Sequence, residues 1–251
     1  MAKAFLAPTT WLLGEVTRAR VLIEEAVTRA VETVHAPTLA NTNLYGALLE
    51  TLRGDASGVS DATRVLELSR EYGLGEYLAL RMVYFGWARA RGSDGSDDEI
   101  GVAELRKAIA ALTSKYWVPF FQGLLAEIEA ERQDVEQALT RIDEAPGLAQ
   151  QTGEHWTDAY LHRVRGEILL KRHPANTAPA EGAFLAAIAM AQQQKARSFE
   201  LGAAMSMALL WRDQGNRDDA RELLAPVYGW FTEGFDTLDL KEAKALLDTL
   251  V

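Results

Sequence analysis

Trp211-Arg-Asp-Gln-Gly215-Asn-Arg-Asp-Asp-Ala220-Arg-Glu-Leu-Leu224-Ala-Pro-Val227 is a turn followed by a helix. A small residue, a large apolar residue four later and another apolar one three after that lie on one helical face, as Ala220, Leu224 and Val227 do. The small member marks where two helix backbones come close. The pattern is the second half of a unit written twice between His155 and Gly234. In the earlier copy the turn lies near Lys171 to Pro179 and the helix carries Ala180, Phe184 and Ala187.

Outward from there the same unit recurs to the start of the chain. After Trp11-Leu-Leu-Gly14 comes a helix with Ala19, Ile23 and Ala26, and His35-Ala-Pro37 ends it because proline cannot continue the hydrogen-bond ladder. A helix from about Leu39 to Arg53 turns at Gly54-Asp-Ala-Ser-Gly58 and returns through Val65, Leu66 and Leu68 to Gly73. Tyr77 to Arg91 is followed by an acidic loop, Gly92 to Glu99, and by a helix with Gly101, Leu105 and Ala108. Tyr116 to Arg132 pairs with Val135 to Gln151, which carries Ala138, Ile142 and Ala145. The turn positions Gly14, Gly54, Gly92, Gln133, His173 and Gly215 stand 40, 38, 41, 40 and 42 residues apart. Two helices per unit at that period predict an all-α fold, a right-handed α-solenoid of about five to six helical hairpins in which each unit buries its face on the next. Residues 1–251 are read as one such domain: a partial first repeat over 1–36 interrupted by Pro8, hairpins over 37–236, and a capping helix over 237–251.

Composition narrows the function classes. A formal net charge of −10 argues against a nucleic-acid surface. The chain has no cysteine, which excludes disulfides, thiolate metal sites and a cysteine nucleophile, and suits a reducing compartment. No signal peptide or membrane-length apolar run is written in it, so a soluble cytoplasmic protein is expected.

The series Gly14, Ala19, Ile23, Ala26 and its copy Gly215, Ala220, Leu224, Val227 resembles the tetratricopeptide repeat, stretched beyond that repeat's usual spacing of about 34 residues. Leu161-His-Arg-Val-Arg-Gly-Glu-Ile-Leu-Leu170, Leu210-Trp-Arg-Asp-Gln-Gly215 and Pro226-Val-Tyr-Gly-Trp-Phe-Thr-Glu-Gly-Phe-Asp236 resemble the C-terminal helical arrays of bacterial class III adenylate/guanylate cyclase-like proteins, which also carry a signalling ATPase. The resemblance implies regulation and docking, with the chain a regulatory tail of a longer polypeptide or a shortened stand-alone relative. No Gly-x-x-x-x-Gly-Lys-Ser/Thr phosphate loop is present.

No catalytic set assembles from the sequence, and neither metal nor cofactor is expected. The loop Asp94-Gly-Ser-Asp97-Asp98-Glu99 lacks the alternating ligands of a calcium hand and reads as a solvated surface run. His155 and His162 lie two helical turns apart, too far for a shared ion, while His35 and His173 suit helix ends. Trp230, Phe231 and Phe235 around Gly234 read as rings sealing the last repeat, with Thr237 capping the final helix. Pro146 and Pro226 should bend or split their helices.

In tetratricopeptide-like arrays the first helix of each hairpin lines the concave groove. Transferred through the turn positions, the groove residues are Arg81, Met82, Arg89, Phe120, Glu127, Tyr160, Arg163, Glu167, Met205 and Arg212. The leading expectation is a protein-interaction or regulatory module whose groove takes a peptide, a domain, or the ATPase or cyclase part of its own polypeptide. A second is a sensor for a small effector. Neither nucleic acid nor membrane is an expected partner, and a second copy is possible through open repeat ends. The lysine and asparagine set that grips a C-terminal carboxylate is not evident.

Overall fold

The computed structural model describes residues 2–33, 35–59, 71–73, 75–92 and 98–250. Among them are thirteen helices and no strand: α1 (Ala2–Leu12), α2 (Val16–Thr33), α3 (Ala36–Leu52), α4 (Ala56–Val59), α5 (Gly75–Ala90), α6 (Asp98–Ala111), α7 (Val118–Glu131), α8 (Val135–Thr152), α9 (Asp158–Arg172), α10 (Ala178–Gln194), α11 (Arg197–Asp213), α12 (Arg217–Gly229) and α13 (Leu238–Thr249). Two expectations, the return helix through Val65, Leu66 and Leu68 and the acidic loop around Asp94 and Asp97, lie outside the described residues. No described helix is long and apolar enough to cross a membrane.

The chain divides into two compact units, Met1–Trp11 with Val16–Lys115, and Leu12–Glu15 with Tyr116–Val251. Both are all-helical and repeat-like. In the second, α7 packs on α8, α8 on α9, and α7 on α9; α9, α10 and α11 repeat the triangle, and so do α11, α12 and α13. Each first helix therefore touches its own partner and the next first helix. In the first unit α5 packs on α6, α3 lies against α2, α4 and α5, and Phe5 of α1 meets Tyr45 of α3.

The small-large-small register fills the core in both units. Ala19, Gly101, Ala138, Ala180 and Ala220 are buried, and so are Ile23, Leu105, Ile142, Phe184 and Leu224 four residues on. At Gly101 two backbones come close, since a Cβ there would stand 2.4 Å from the Ala90 backbone nitrogen. Gly86 answers it from α5, where a Cβ would be 2.7 Å from the nitrogen of Leu105. Gly14, Gly54, Gln133 and Gly215 turn the chain with positive φ, so four of the six period-marking positions share one left-handed turn. A second left-handed series, Gly153, Lys195 and Gly234, joins each hairpin to the next in the second unit.

Several expectations change. Pro8 does not interrupt α1, which runs eleven residues through it. Pro146 and Pro226 do not split α8 or α12 either. Both rings face solvent while Ile142, Ala145 and Ala149, or Ala220 and Leu224, hold the opposite face in the core. Neither ring therefore intrudes on the packed face of its helix. The aromatic seal is partial: Phe231 is buried, but Trp230 and Phe235 are 43% and 48% exposed. Leu240, Ala243 and Leu246 of α13 cover the last repeat instead. Thr237 occupies the N-cap position of α13, yet its hydroxyl donates to the Gly234 carbonyl at 2.7 Å. The Asp239 carboxylate accepts from Leu240 N–H in its place.

Candidate functional site

The first helices α7, α9 and α11 lie side by side in the second unit. Gly123 of α7 opens the space between the first two, because a Cβ there would be 2.5 Å from the ring of Tyr160 and 2.9 Å from Leu161. Beneath, Phe120, Trp156, Tyr160 and Phe199 form a continuous set of rings, with centroids 5.3 Å apart for Phe120 and Trp156 and 5.9 Å for Tyr160 and Phe199. They anchor the three helices to one another through large apolar area.

On this platform Tyr160, Arg163 and Glu167 line one face of α9 at helical spacing. Arg163 donates to Glu127 of α7 at 2.7 Å and to Glu167 at 2.5 Å, and its guanidinium lies over the Tyr160 ring, 5.4 Å from the centroid. The Tyr160 hydroxyl donates to Glu127, and Ser206 of α11 donates to Glu167 at 2.8 Å. One polar chain thus runs across all three first helices. Burial alone would lower the Arg163 pKa, but the carboxylates of Glu167 and Glu127 outweigh it and hold the cation charged.

The chain of polar groups leads into a cleft of about 470 Å³ between α9 and α11. Leu170, Phe184 and Leu210 make its apolar surface, with Glu167, Ser206, Leu209 and Asp213 around them. Leu209 is 39% exposed. A separate cleft of about 350 Å³ lies between α8 and α9, where His155, Asp158, His162 and Arg165 gather beside Pro146. His155 Nδ1 and the Asp158 carboxylate are 2.9 Å apart there. Among the described residues no group of three or more His, Asp or Glu side chains is placed to hold a metal ion.

Four of the ten groove residues, Glu127, Tyr160, Arg163 and Glu167, come together in the polar chain. Phe120 is buried in the platform below it. Arg89 pairs with Glu104 of its own partner helix α6, at 3.1 Å, so it faces into the hairpin. Arg81 is 1% exposed and donates to the Val59 carbonyl at 2.5 Å. The reason is that α5 is enclosed by α3, α4 and α6. Desolvation lowers the Arg81 pKa to about 10. Met82 and Met205 are half-buried, and Arg212 pairs with its neighbour Asp213 at 2.8 Å.

The residues missed on α11 are Ser206, Leu209 and Asp213. Ser206 and Asp213 lie one position round from Met205 and Arg212, about 100° of helical turn, while Leu209 shares the face of those two. Comparison with known proteins finds no family model that matches the chain and no curated protein that matches it.

Proposed function

We propose that this chain is a non-catalytic protein-interaction module whose first-helix face in the second unit docks an extended segment of a partner protein. On this reading the hairpins are of the tetratricopeptide type, wound right-handed, and the module serves as a regulatory part of a cyclase- or ATPase-type signalling protein. The alternation of first and second helices and the resemblance of Leu161–Leu170 and Pro226–Asp236 to the arrays of such regulators support it.

The observation that carries the proposal is the polar chain Glu127, Arg163, Glu167 and Ser206, which leads into the cleft between α9 and α11. Side chains already held in place lose little entropy when a partner arrives. A small effector would be served by an enclosed pocket with converging polar groups, whereas this cleft lies on the surface, with Leu209 and Asp213 exposed on its α11 side.

A photo-reactive amino acid at Leu209 should give a discrete adduct in cells of origin, while one at Arg221 on α12 should not. Arg163→Ala with Glu167→Ala should remove the adduct while circular dichroism stays helical. Equal adducts from both positions, or an adduct indifferent to the double substitution, would refute the docking face.

A further inference from the structure

We propose that the cleft between α9 and α11 receives a large apolar side chain, of the leucine or phenylalanine class, carried on the docked segment. The inference rests on the docking role of the first-helix face and names the side-chain chemistry of the partner.

Ten side chains line the cleft; five of them are polar, and each of the five hydrogen-bonds within the protein. Glu167 accepts from Arg163 and Ser206, Asp213 accepts from both Nε and Nη2 of Arg212, and Gln214 donates to the Thr177 hydroxyl at 3.0 Å. At the end of α11 the carbonyls of Leu210, Trp211 and Arg212 accept from the amides of Gln214, Asn216 and Gly215. The rim is thus balanced in charge by cations of this chain. What stays open is apolar: Leu170 is half-buried, Leu209 is 39% exposed and Pro174 is exposed. Behind them Phe184 and Leu210 belong to the core cluster between α10 and α11, and Leu170 packs against it. The cleft is where this core reaches the surface. A Cβ at Gly166 would stand 2.4 Å from the Phe184 ring, so Phe184 lies directly on α9 and fixes the inner wall.

Charge and area together select the occupant. A basic side chain would compete with Arg163 and Arg212 for carboxylates that are already paired, and an acidic one would face Glu167 and Asp213. Either gives up its water without gaining a new partner. An apolar side chain has no such water to lose, and it gains in proportion to the apolar area of Leu170, Pro174 and Leu209 that it covers. At about 470 Å³ the cleft lies toward the small end of ligand pockets of roughly 300–1,000 Å³, which suits one side chain and the backbone beside it.

Amide-resolved NMR titration tests this. The probes are an Ala/Gly/Ser peptide with one central leucine, the same peptide with alanine, glutamine or arginine in its place, and free N-acetyl-leucinamide. The leucine peptide should move the amides of Ser206, Leu209, Leu210 and Gln214 saturably and bind roughly tenfold more tightly than the alanine peptide, the worth of burying part of its extra carbons. Glutamine, as long but polar, should bind no better than alanine. Leu209→Gln, at an exposed side chain where folding is not at stake, should erase the leucine preference, and the volume-conserving Leu209→Met should keep it. Equal binding of the leucine and alanine peptides, tighter binding of arginine, shifts away from the cleft, or no saturable shift with any peptide would overturn the inference. Free N-acetyl-leucinamide binding as tightly as the peptide would overturn a docked segment as the carrier. An adduct at Leu209 without any leucine preference would leave the docking face standing and end this proposal alone.

Discussion

Arg141 on α8 forks onto Glu129 on α7, Nε to Oε2 at 2.8 Å and Nη2 to Oε1 at 3.0 Å. Glu129 is 1% exposed, and Arg141 also donates to Gln122 at 2.7 Å. Removing one member of a buried pair leaves the other's desolvation uncompensated. Arg141→Ala should therefore cost roughly 3–5 kcal/mol, and Arg141→Met combined with Glu129→Met far less. Denaturant midpoints of the two variants decide it, and equal losses would contradict the argument.

Helical glycines should split by sign. A Cβ at Gly101 meets the Ala90 backbone, whereas one at Gly182, exposed on α10, meets nothing within 4 Å. Gly182→Ala should stabilise by about 0.5–1 kcal/mol through the entropy of the unfolded chain, while Gly101→Ala should destabilise by about 1–3 kcal/mol as two backbones are pushed apart. Thermal melts that move in the same direction for both would reject this account.

Ala187 packs in the cluster of Phe184, Ile188, Ala203 and Met207 between α10 and α11. Ala187→Arg there combines overpacking with a buried charge, so the loss should exceed the roughly 1–3 kcal/mol of overpacking alone. A melting temperature equal to the parent's would show the register to be wrong.

Acid should weaken the protein through His162. Burial pushes its imidazole down, Asp158 pulls it back up and Arg165 adds to the lowering, with His155 and Asp143 lining the same cleft. The unfolded chain takes up the proton near pH 6.5 and the folded chain only below that, so stability from this group falls as pH drops from about 7 toward 5. His162→Gln should flatten that part of the stability curve. An unchanged slope in denaturation series across those pH values would remove His162 as the cause.

Much of the fold is legible because its rules are local. Ala138, Ile142 and Ala145 share one face by helical geometry alone, and all three are buried. The turn at Gly215 announces itself because a left-handed residue is needed there and glycine adopts that conformation freely. Lys195 takes the same conformation without being glycine, and nothing local marks it. The candidate site is legible on α9, where Tyr160, Arg163 and Glu167 fall on one stripe. It is incomplete on α11, where Leu209 on the face of Met205 and Arg212, and Ser206 and Asp213 one position round from them, line the cleft.

By itself, then, the order of residues determined that the chain is helical, where most helices end, and which stripe of each is buried, because spacing of 3.6 residues per turn is a property of one segment. Whether a charged residue faces a neighbour or the solvent was decided only in three dimensions. Arg81 and Arg163 look alike in sequence, yet one is enclosed beside the Val59 carbonyl and the other joins α9 to Glu127 of α7 and, through Glu167, to Ser206 of α11. The difference lies in how closely neighbouring helices approach, and that distance is set by side chains far away along the chain.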